Sequence, residues 1–132
     1  MIKGSSTNPL ILVVEDVHET LDGIEKLLKG DGYRVSLARD EEDAIESARR
    51  QPPSLILVSL GGLPREVVLT ARRIRDHAGA GEDVPVVVFC IEELPEGDEV
   101  EIGANVHITR PDNFNQLRSL LTRLLEQVPT AA

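Results

Sequence analysis

Aromatic residues are nearly absent from this chain of 132 residues: they make up 2% of it, and there is no tryptophan. Hydrophobic residues nonetheless reach 41%, so we expect a folded chain with a core of aliphatic side chains. No apolar run approaches the roughly 20 residues that span a bilayer, and the first residues lack the apolar core of a signal peptide. The composition therefore predicts a soluble single domain.

Cysteine and positive charge are also scarce. The single cysteine, Cys90, excludes an intramolecular disulfide and a four-cysteine zinc site, and it fits the cytoplasmic location that we expect. The chain has 23 acidic and 14 basic residues, a net charge of −9, which repels phosphate backbones and anionic lipids. We therefore expect no direct contact with nucleic acid or a membrane surface.

Part of the negative charge is concentrated in one stretch, residues 92–101, which contains no Lys or Arg. We call its acids the acidic lobe: Glu92, Glu93, Glu96, Asp98, Glu99 and Glu101. A concentrated patch of one sign attracts a partner of the other sign. The acidic lobe is therefore a candidate surface for a basic protein partner.

Hydrophobic periodicity predicts five strands that alternate with helices. The strands are predicted at 10–14, 33–38, 55–60, 84–91 and 106–108, and the helices at 17–29, 41–50 (with Asp40 as N-cap), 65–77 and 114–128. Residues 92–104 are short and interrupted by proline and glycine, which allows a turn or two of helix at most. Residues 1–8 and 129–132 are expected to be flexible tails. This alternation predicts a doubly wound α/β fold with a five-stranded parallel sheet and helices on both faces.

In such folds, ligands bind beyond the carboxyl ends of the strands. Polar or reactive residues stand at these ends: Glu15 and Asp16 after the first strand, Ser59 at the third, Cys90 at the fourth, and Arg110 after the fifth. Glu15 and Asp16 could instead form a solvated turn in which Asp16 caps the next helix, and Cys90 could be a buried, inert thiol.

The segments around these strand ends resemble the receiver domain of bacterial two-component response regulators, the CheY-like fold. The resemblance runs from about residue 10 to 125, and its specific feature is the spacing of the segments. They are ILVVED at 11–16, GYRV at 32–35, PSLILVSL at 53–60, PVVVFC at 85–90, GA at 103–104 and TRP at 109–111. The resemblance implies the strand order 2-1-3-4-5 and a receiver-like domain over residues 9–128, in which the interrupted segment 92–104 would be a shortened fourth helix.

The resemblance assigns family positions to individual residues. The metal-binding acidic pair falls on Glu15 and Asp16, the phospho-acceptor on Ser59, the hydroxyl position on Cys90, the lysine position on Arg110, the proline on Pro111 and the aromatic switch position on His107. Receivers accept a phosphoryl group on aspartate with Mg²⁺ bound. Three of the phosphate-handling positions, including the acceptor, therefore depart from the family pattern.

The chemistry of these departures predicts a degenerate receiver. A serine hydroxyl needs a neighbouring base before it acts as a nucleophile, whereas an aspartate is already ionised. Without the acceptor aspartate, Mg²⁺ would have Glu15, Asp16 and the Gly61 carbonyl, so we expect weak binding at best. Arg110 could pair with Asp16 or Glu15 and neutralise the pocket instead.

We therefore expect a domain that is not an enzyme and acts through protein–protein contacts in two-component signalling. Its partner would be a histidine kinase, an output domain or another signalling protein. By resemblance, a homodimer would use the face formed by the family's fourth helix, fifth strand and fifth helix, and Leu120 and Val128 could widen the apolar stripe of the final helix there. The chain would be either a stand-alone regulator or a fragment of a longer protein.

Two alternatives remain open. One is a receiver phosphorylated at a non-standard site. The other is a small hydrolase that uses Cys90, His107 and Asp16, although the acids that follow Cys90 would raise the pKa of its thiol. The basic residues of the third helix, Arg65, Arg72, Arg73 and Arg75, are interpreted as a solvated face, since aromatic stacking partners for nucleic acid are lacking.

Overall fold

A computed structural model describes residues 8–61, 63–89, 95–110 and 113–126 of the chain. Within these ranges the strands are β1 (Leu10–Glu15), β2 (Arg34–Ala38), β3 (Leu55–Ser59), β4 (Val86–Phe89), β5 (Glu99–Glu101) and β6 (Val106–Thr109). The helices are α1 (His18–Gly30), α2 (Glu41–Arg50), α3 (Pro64–His77) and α4 (Phe114–Glu126). None of these helices is both long and apolar enough to cross a membrane.

The strands form one sheet in the order β2-β1-β3-β4-β6-β5. The first five positions are parallel and match the predicted order 2-1-3-4-5, with β6 as the predicted fifth strand. The doubly wound α/β fold is therefore confirmed. The predicted strand number is wrong, because β5 adds a sixth strand that pairs antiparallel with β6 at the edge.

The new strand lies where a shortened fourth helix was predicted. In the described residues 95–104, the chain makes a turn closed by the Asp98 N–H donating to the Pro95 carbonyl, then β5, and no helix. Three successive residues with positive φ, Gly103 (102°), Ala104 (52°) and Asn105 (62°), then reverse the chain into β6. We call β5, this turn and β6 the edge hairpin.

The sheet separates two aliphatic clusters. Alternate side chains of β1, β3 and β4 pack against α2 and α3 on one face, and the remaining ones pack against α1 and α4 on the other. These strands are buried on both faces, which is why they are continuous aliphatic runs in the sequence. Within the described residues the fully buried hydrophobic side chains are all aliphatic, as the composition predicts, and Tyr33 and Phe89 pack against them partly buried.

Helix ends follow local hydrogen bonding. The predicted N-cap Asp40 is confirmed: its carboxylate accepts the Asp43 N–H at 2.8 Å. Asn113 caps α4 in the same way, accepting the Gln116 N–H at 3.0 Å. At the carboxyl end of α1, Gly32 has a φ of 93° and the Tyr33 N–H donates to the Leu28 carbonyl, which ends the helix.

Two predictions about helix surfaces are wrong. Arg75 is not part of a solvated face: it is 3% exposed, and its guanidinium donates to the Val84 carbonyl at 3.1 Å. Leu120 does not widen an exposed stripe, because it is 2% exposed and packs in the cluster under α1 and α4. Val128 lies outside the described residues.

Replacing Leu57 tests how much the packing of β3 contributes to the free energy of unfolding. Leu57 is fully buried in β3, so Leu57→Ala should lower the free energy of unfolding by about 2–5 kcal/mol through lost burial and a residual cavity. Leu69→Ala is the matched control, since Leu69 is 51% exposed on α3 and should cost far less. Urea unfolding followed by circular dichroism measures both, and equal losses would contradict this description of the core.

Candidate functional site

The carboxyl ends of β1 and β3 bring two of the predicted site residues side by side. Glu15 and Ser59 are direct register partners in the parallel pairing of these strands. Glu15 is only 3% exposed, and one of its carboxylate oxygens accepts the Val17 N–H at 3.0 Å. Ser59 is half-buried. Glu15 is therefore a buried acid at the carboxyl edge of the sheet, and a main-chain N–H is bonded to its carboxylate.

Asp16 and Gly61 complete this corner. Asp16 is exposed, and its Oδ2 lies 4.0 Å from the position that a Cβ on Gly61 would occupy. The loop after β3 therefore approaches the acid that follows β1, as expected for neighbouring parallel strands. The structure thus brings together Glu15, Asp16, Ser59 and Gly61, whereas Cys90 and Pro111 lie outside the described residues.

Arg110 follows β6 and is half-buried. Its N–H donates to the Asp98 carbonyl at 3.0 Å, and its own carbonyl accepts the Gly97 N–H at 2.7 Å. The backbone of Arg110 is therefore fixed by the turn that precedes β5, a contact that sequence reasoning missed because β5 was not predicted. An ion pair between the Arg110 side chain and Asp16 or Glu15 stays a prediction.

The donor set at this corner partly suits a hard divalent cation. The carboxylates of Glu15 and Asp16 and the carbonyl of Gly61 are oxygen ligands of the right kind. Against this, one oxygen of Glu15 already accepts a hydrogen bond, and Ser59 offers a neutral hydroxyl. Across the described residues, no group of three His, Cys, Asp or Glu side chains is arranged to hold a metal ion.

His107 lies on β6, opposite Glu101 of β5. Its Nε2 is 2.8 Å from Asn105 Oδ1, and the Asn105 side-chain amide donates to the Glu82 carbonyl at 2.9 Å. Since the amide nitrogen of Asn105 is the donor to Glu82, its oxygen accepts from His107, which assigns the Nε2–H tautomer. The cysteine-hydrolase alternative requires an acid, Asp16, as the partner of His107. The hydrogen-bond partner of its Nε2 is instead the amide of Asn105.

Burial lowers the pKa of His107 below its ordinary value of 6.5, because the charged imidazolium loses solvation there. Glu101 and Glu99 act in the opposite direction, and Arg123 reinforces the lowering. The side chain at the predicted switch position is therefore held towards its neutral form. The partner of His107 could have been sought in the sequence, because Asn105 ends a turn that contains Gly103. Asparagine is one of the residues that most readily adopts the left-handed backbone of such a turn.

Part of the acidic lobe is described by the structure. Glu96, Asp98 and Glu101 are exposed, whereas Glu99 forms an ion pair with Arg123 of α4. The Gln116 side chain of α4 donates to the Gly97 carbonyl. Two contacts thus connect the acidic lobe to α4, and Arg123 neutralises part of the negative charge that the sequence indicates. Glu92 and Glu93 lie outside the described residues.

Comparison with known proteins points to one class. No family model matches the chain. It is 30% identical over 126 residues to the transcriptional regulatory protein PrrA of Mycobacterium tuberculosis, covering 92% of this chain and 52% of that protein. It is 28% identical over 120 residues to the transcriptional regulatory protein KdpE of Staphylococcus aureus, covering 89% and 50%. The chain spans about half the length of these curated relatives.

Solved structures agree with these relatives. The receiver domain of the sensor histidine kinase PA1611 of Pseudomonas aeruginosa, crystallised with a magnesium ion in its active-site cleft, is 25% identical, with a TM-score of 0.66 over 92% of this chain and 100% of that one. The signal receiver domain of a histidine kinase from Syntrophus aciditrophicus is 23% identical, with a TM-score of 0.73 over 94% and 95%. Together with the relatives, they support a response-regulator receiver domain with the CheY-like fold.

The burial of His107 predicts a specific pH dependence. Because the folded state lowers the pKa of this group, protonation favours the unfolded state, and stability should fall as the pH drops below 6.5 through the lowered pKa. His107→Gln should reduce the stability lost between about pH 7.5 and about pH 5.5, measured by urea unfolding. His18→Gln, at an exposed position on α1, should retain that loss. Identical pH profiles for wild type and His107→Gln would contradict the assignment.

Proposed function

We propose that this chain is a receiver-like domain of a two-component system that does not take phosphate by aspartate chemistry and signals by binding proteins. The observation that carries the proposal is Ser59, the register partner of Glu15, at the position where the family has its acceptor aspartate. The relatives and structure neighbours support the receiver class, and the residue at this position supports the departure from it.

The chemistry of Ser59 argues against phosphoryl transfer to it. A hydroxyl must lose its proton to become a competent nucleophile, so an adjacent base is required. The neighbouring carboxylate, Glu15, already accepts the Val17 N–H, and it is buried. That carboxylate oxygen is therefore already engaged with the main chain and is not free to accept the serine proton.

Magnesium binding would be weakened by the same substitution. In this corner, Mg²⁺ would be held by Glu15, Asp16 and the Gly61 carbonyl, and it would neutralise the charge of an incoming phosphoryl group. With serine at position 59, one of three carboxylates is lost from the set. We infer that Arg110 supplies positive charge to Asp16 in place of a metal, and that the pocket stays in one state.

Protein partners are the remaining route for a signal. Receiver domains contact histidine kinases and output domains through their surfaces, and this chain has the receiver fold. A fixed, unphosphorylated pocket would make the domain a constant docking module. Its control would then come from the availability of its partner.

Acetyl phosphate with Mg²⁺ tests the proposal directly. The wild-type chain should gain no phosphoryl mass by intact-mass spectrometry, because Ser59 lacks an activating base. A receiver with an acceptor aspartate, treated in parallel, controls for the reagent. Stoichiometric addition of a phosphoryl group to the wild-type chain would overturn the proposal.

Restoring a carboxylate should make stability depend on metal. Ser59→Asp places a second acid beside the buried Glu15, so without metal it should be about 1–2 kcal/mol less stable than the neutral variant Ser59→Asn. Added Mg²⁺ should recover this loss for Ser59→Asp and leave Ser59→Asn and the wild type nearly unchanged. Urea midpoints in chelator and in Mg²⁺ measure this, and an equally large Mg²⁺ response in the wild type would contradict weak binding.

A further inference from the structure

The edge hairpin ends the sheet with a strand whose outer side has no partner strand in the described part of the chain. Its hydrogen bonds show which groups point outward. The Arg110 N–H donates to the Asp98 carbonyl at 3.0 Å, and the Ile102 N–H donates to the Val106 carbonyl at 2.9 Å. Residues 98, 100 and 102 therefore bond to β6.

In an antiparallel pair, the residues between such bonded positions direct their N–H and C=O groups to the other side. On β5 these residues are Glu99 and Glu101, the register partners of Thr109 and His107. Their main-chain groups thus form an edge with the spacing of a strand. An edge of this kind is a template on which another extended segment can pair.

The side chains around this edge restrict what can pair there. Val100 and Ile102 are 45% and 38% exposed, and they lie on the same face of the strand. The acids of β5 lie on the opposite face, where Glu101 is exposed and Glu99 already pairs with Arg123. An added strand would therefore meet apolar side chains on one face and carboxylates on the other, which favours a segment that alternates apolar and basic residues.

Charge excludes a second copy of this chain as the favoured occupant. Pairing β5 with another β5 would bring the acids of both strands together, and like charges on facing strands are destabilising. The acidic lobe residues Glu96 and Asp98, which precede β5, add to this repulsion. A basic segment would be attracted by the same acids that repel a second copy.

We propose that the edge hairpin is a docking site for a basic, extended segment of a partner protein, which pairs with the outer side of β5 as a seventh strand. The proposal rests on the proposed function in one respect, that the domain acts by binding proteins. It involves neither Ser59 nor the corner around Glu15, so the two can fail separately.

The test uses the full chain and a synthetic peptide of alternating lysine and valine, capped at both ends. Its control is the same peptide methylated on every backbone nitrogen, which keeps the length and charge but blocks pairing along both edges of the peptide. Amide hydrogen exchange is followed by nuclear magnetic resonance at low salt. Saturating lysine–valine peptide should slow the exchange of the Glu99 and Glu101 amides about tenfold or more, because those amides gain acceptors.

The amides of Val100 and Ile102 are the internal reference, since both are already bonded to β6 and should change little. The N-methylated peptide should leave the Glu99 and Glu101 amides unprotected even where it binds through charge. Equal protection by both peptides, or no protection at about millimolar peptide, would overturn the proposal. Protection that increases with protein concentration in the absence of peptide would also overturn it, in favour of self-pairing.

A pair of variants separates the strand ladder from charge. Glu101→Pro removes an outward N–H and the carboxylate, whereas Glu101→Ala removes the carboxylate alone. The proline variant should bind the lysine–valine peptide about fivefold or more weakly than the alanine variant, which is the loss of about one hydrogen bond. Proline is tolerated at an edge position whose N–H faces solvent, and retained exchange protection of the Ile102 amide confirms that β5 still pairs with β6. Equal affinities would show attraction by charge only and contradict strand addition.

If the peptide fails to pair while the wild type also takes no phosphate from acetyl phosphate, the proposed function stands and this docking site does not. If the wild type is phosphorylated while the Glu99 and Glu101 amides are protected, the docking site stands and the degenerate-receiver proposal does not. The two readouts, intact mass and amide exchange, share no residue.

Discussion

The parallel pairing of β1 with β3 is the constraint on which the rest of the structure depends. Both strands are buried on both faces, so each side chain must enter the cluster under α2 and α3 or the one under α1 and α4. A register slip of one residue would send every side chain to the opposite face. The register that satisfies both clusters also places Glu15 beside Ser59, so the site is a consequence of the packing.

Much of this could be predicted from the sequence, because continuous aliphatic runs have few alternatives to a covered parallel strand. The meeting of Glu15, Asp16, Ser59 and Gly61 followed from the rule that parallel strands share a carboxyl edge. β5 could not be predicted in this way, since a Glu-Val-Glu segment has weak strand propensity and its conformation is decided by the open edge of β6. The burial of Arg75 was missed because it depends on one distant carbonyl, that of Val84.

The edge hairpin changes how one side of the domain is held together. Glu99 pairs with Arg123 of α4, and Gly97 accepts a hydrogen bond from Gln116 at the start of the same helix. Beneath them, His107 is held through Asn105 to the loop before β4. Hydrogen bonds and one ion pair thus connect the edge hairpin to α4, in the place where the predicted fourth helix would have packed through apolar side chains.

The hydrogen bond between Glu15 and the Val17 N–H has a consequence for how sequence variation at this corner should be interpreted. Val17 is the N-cap residue of α1, and its own side chain offers no cap, so the carboxylate two residues earlier holds the strand-to-helix turn. Selection for folding alone would therefore retain an acid at position 15, whether or not this corner handles phosphate. An acid at this position is thus explained by the backbone of the strand-to-helix turn and is not by itself a sign of phosphate chemistry.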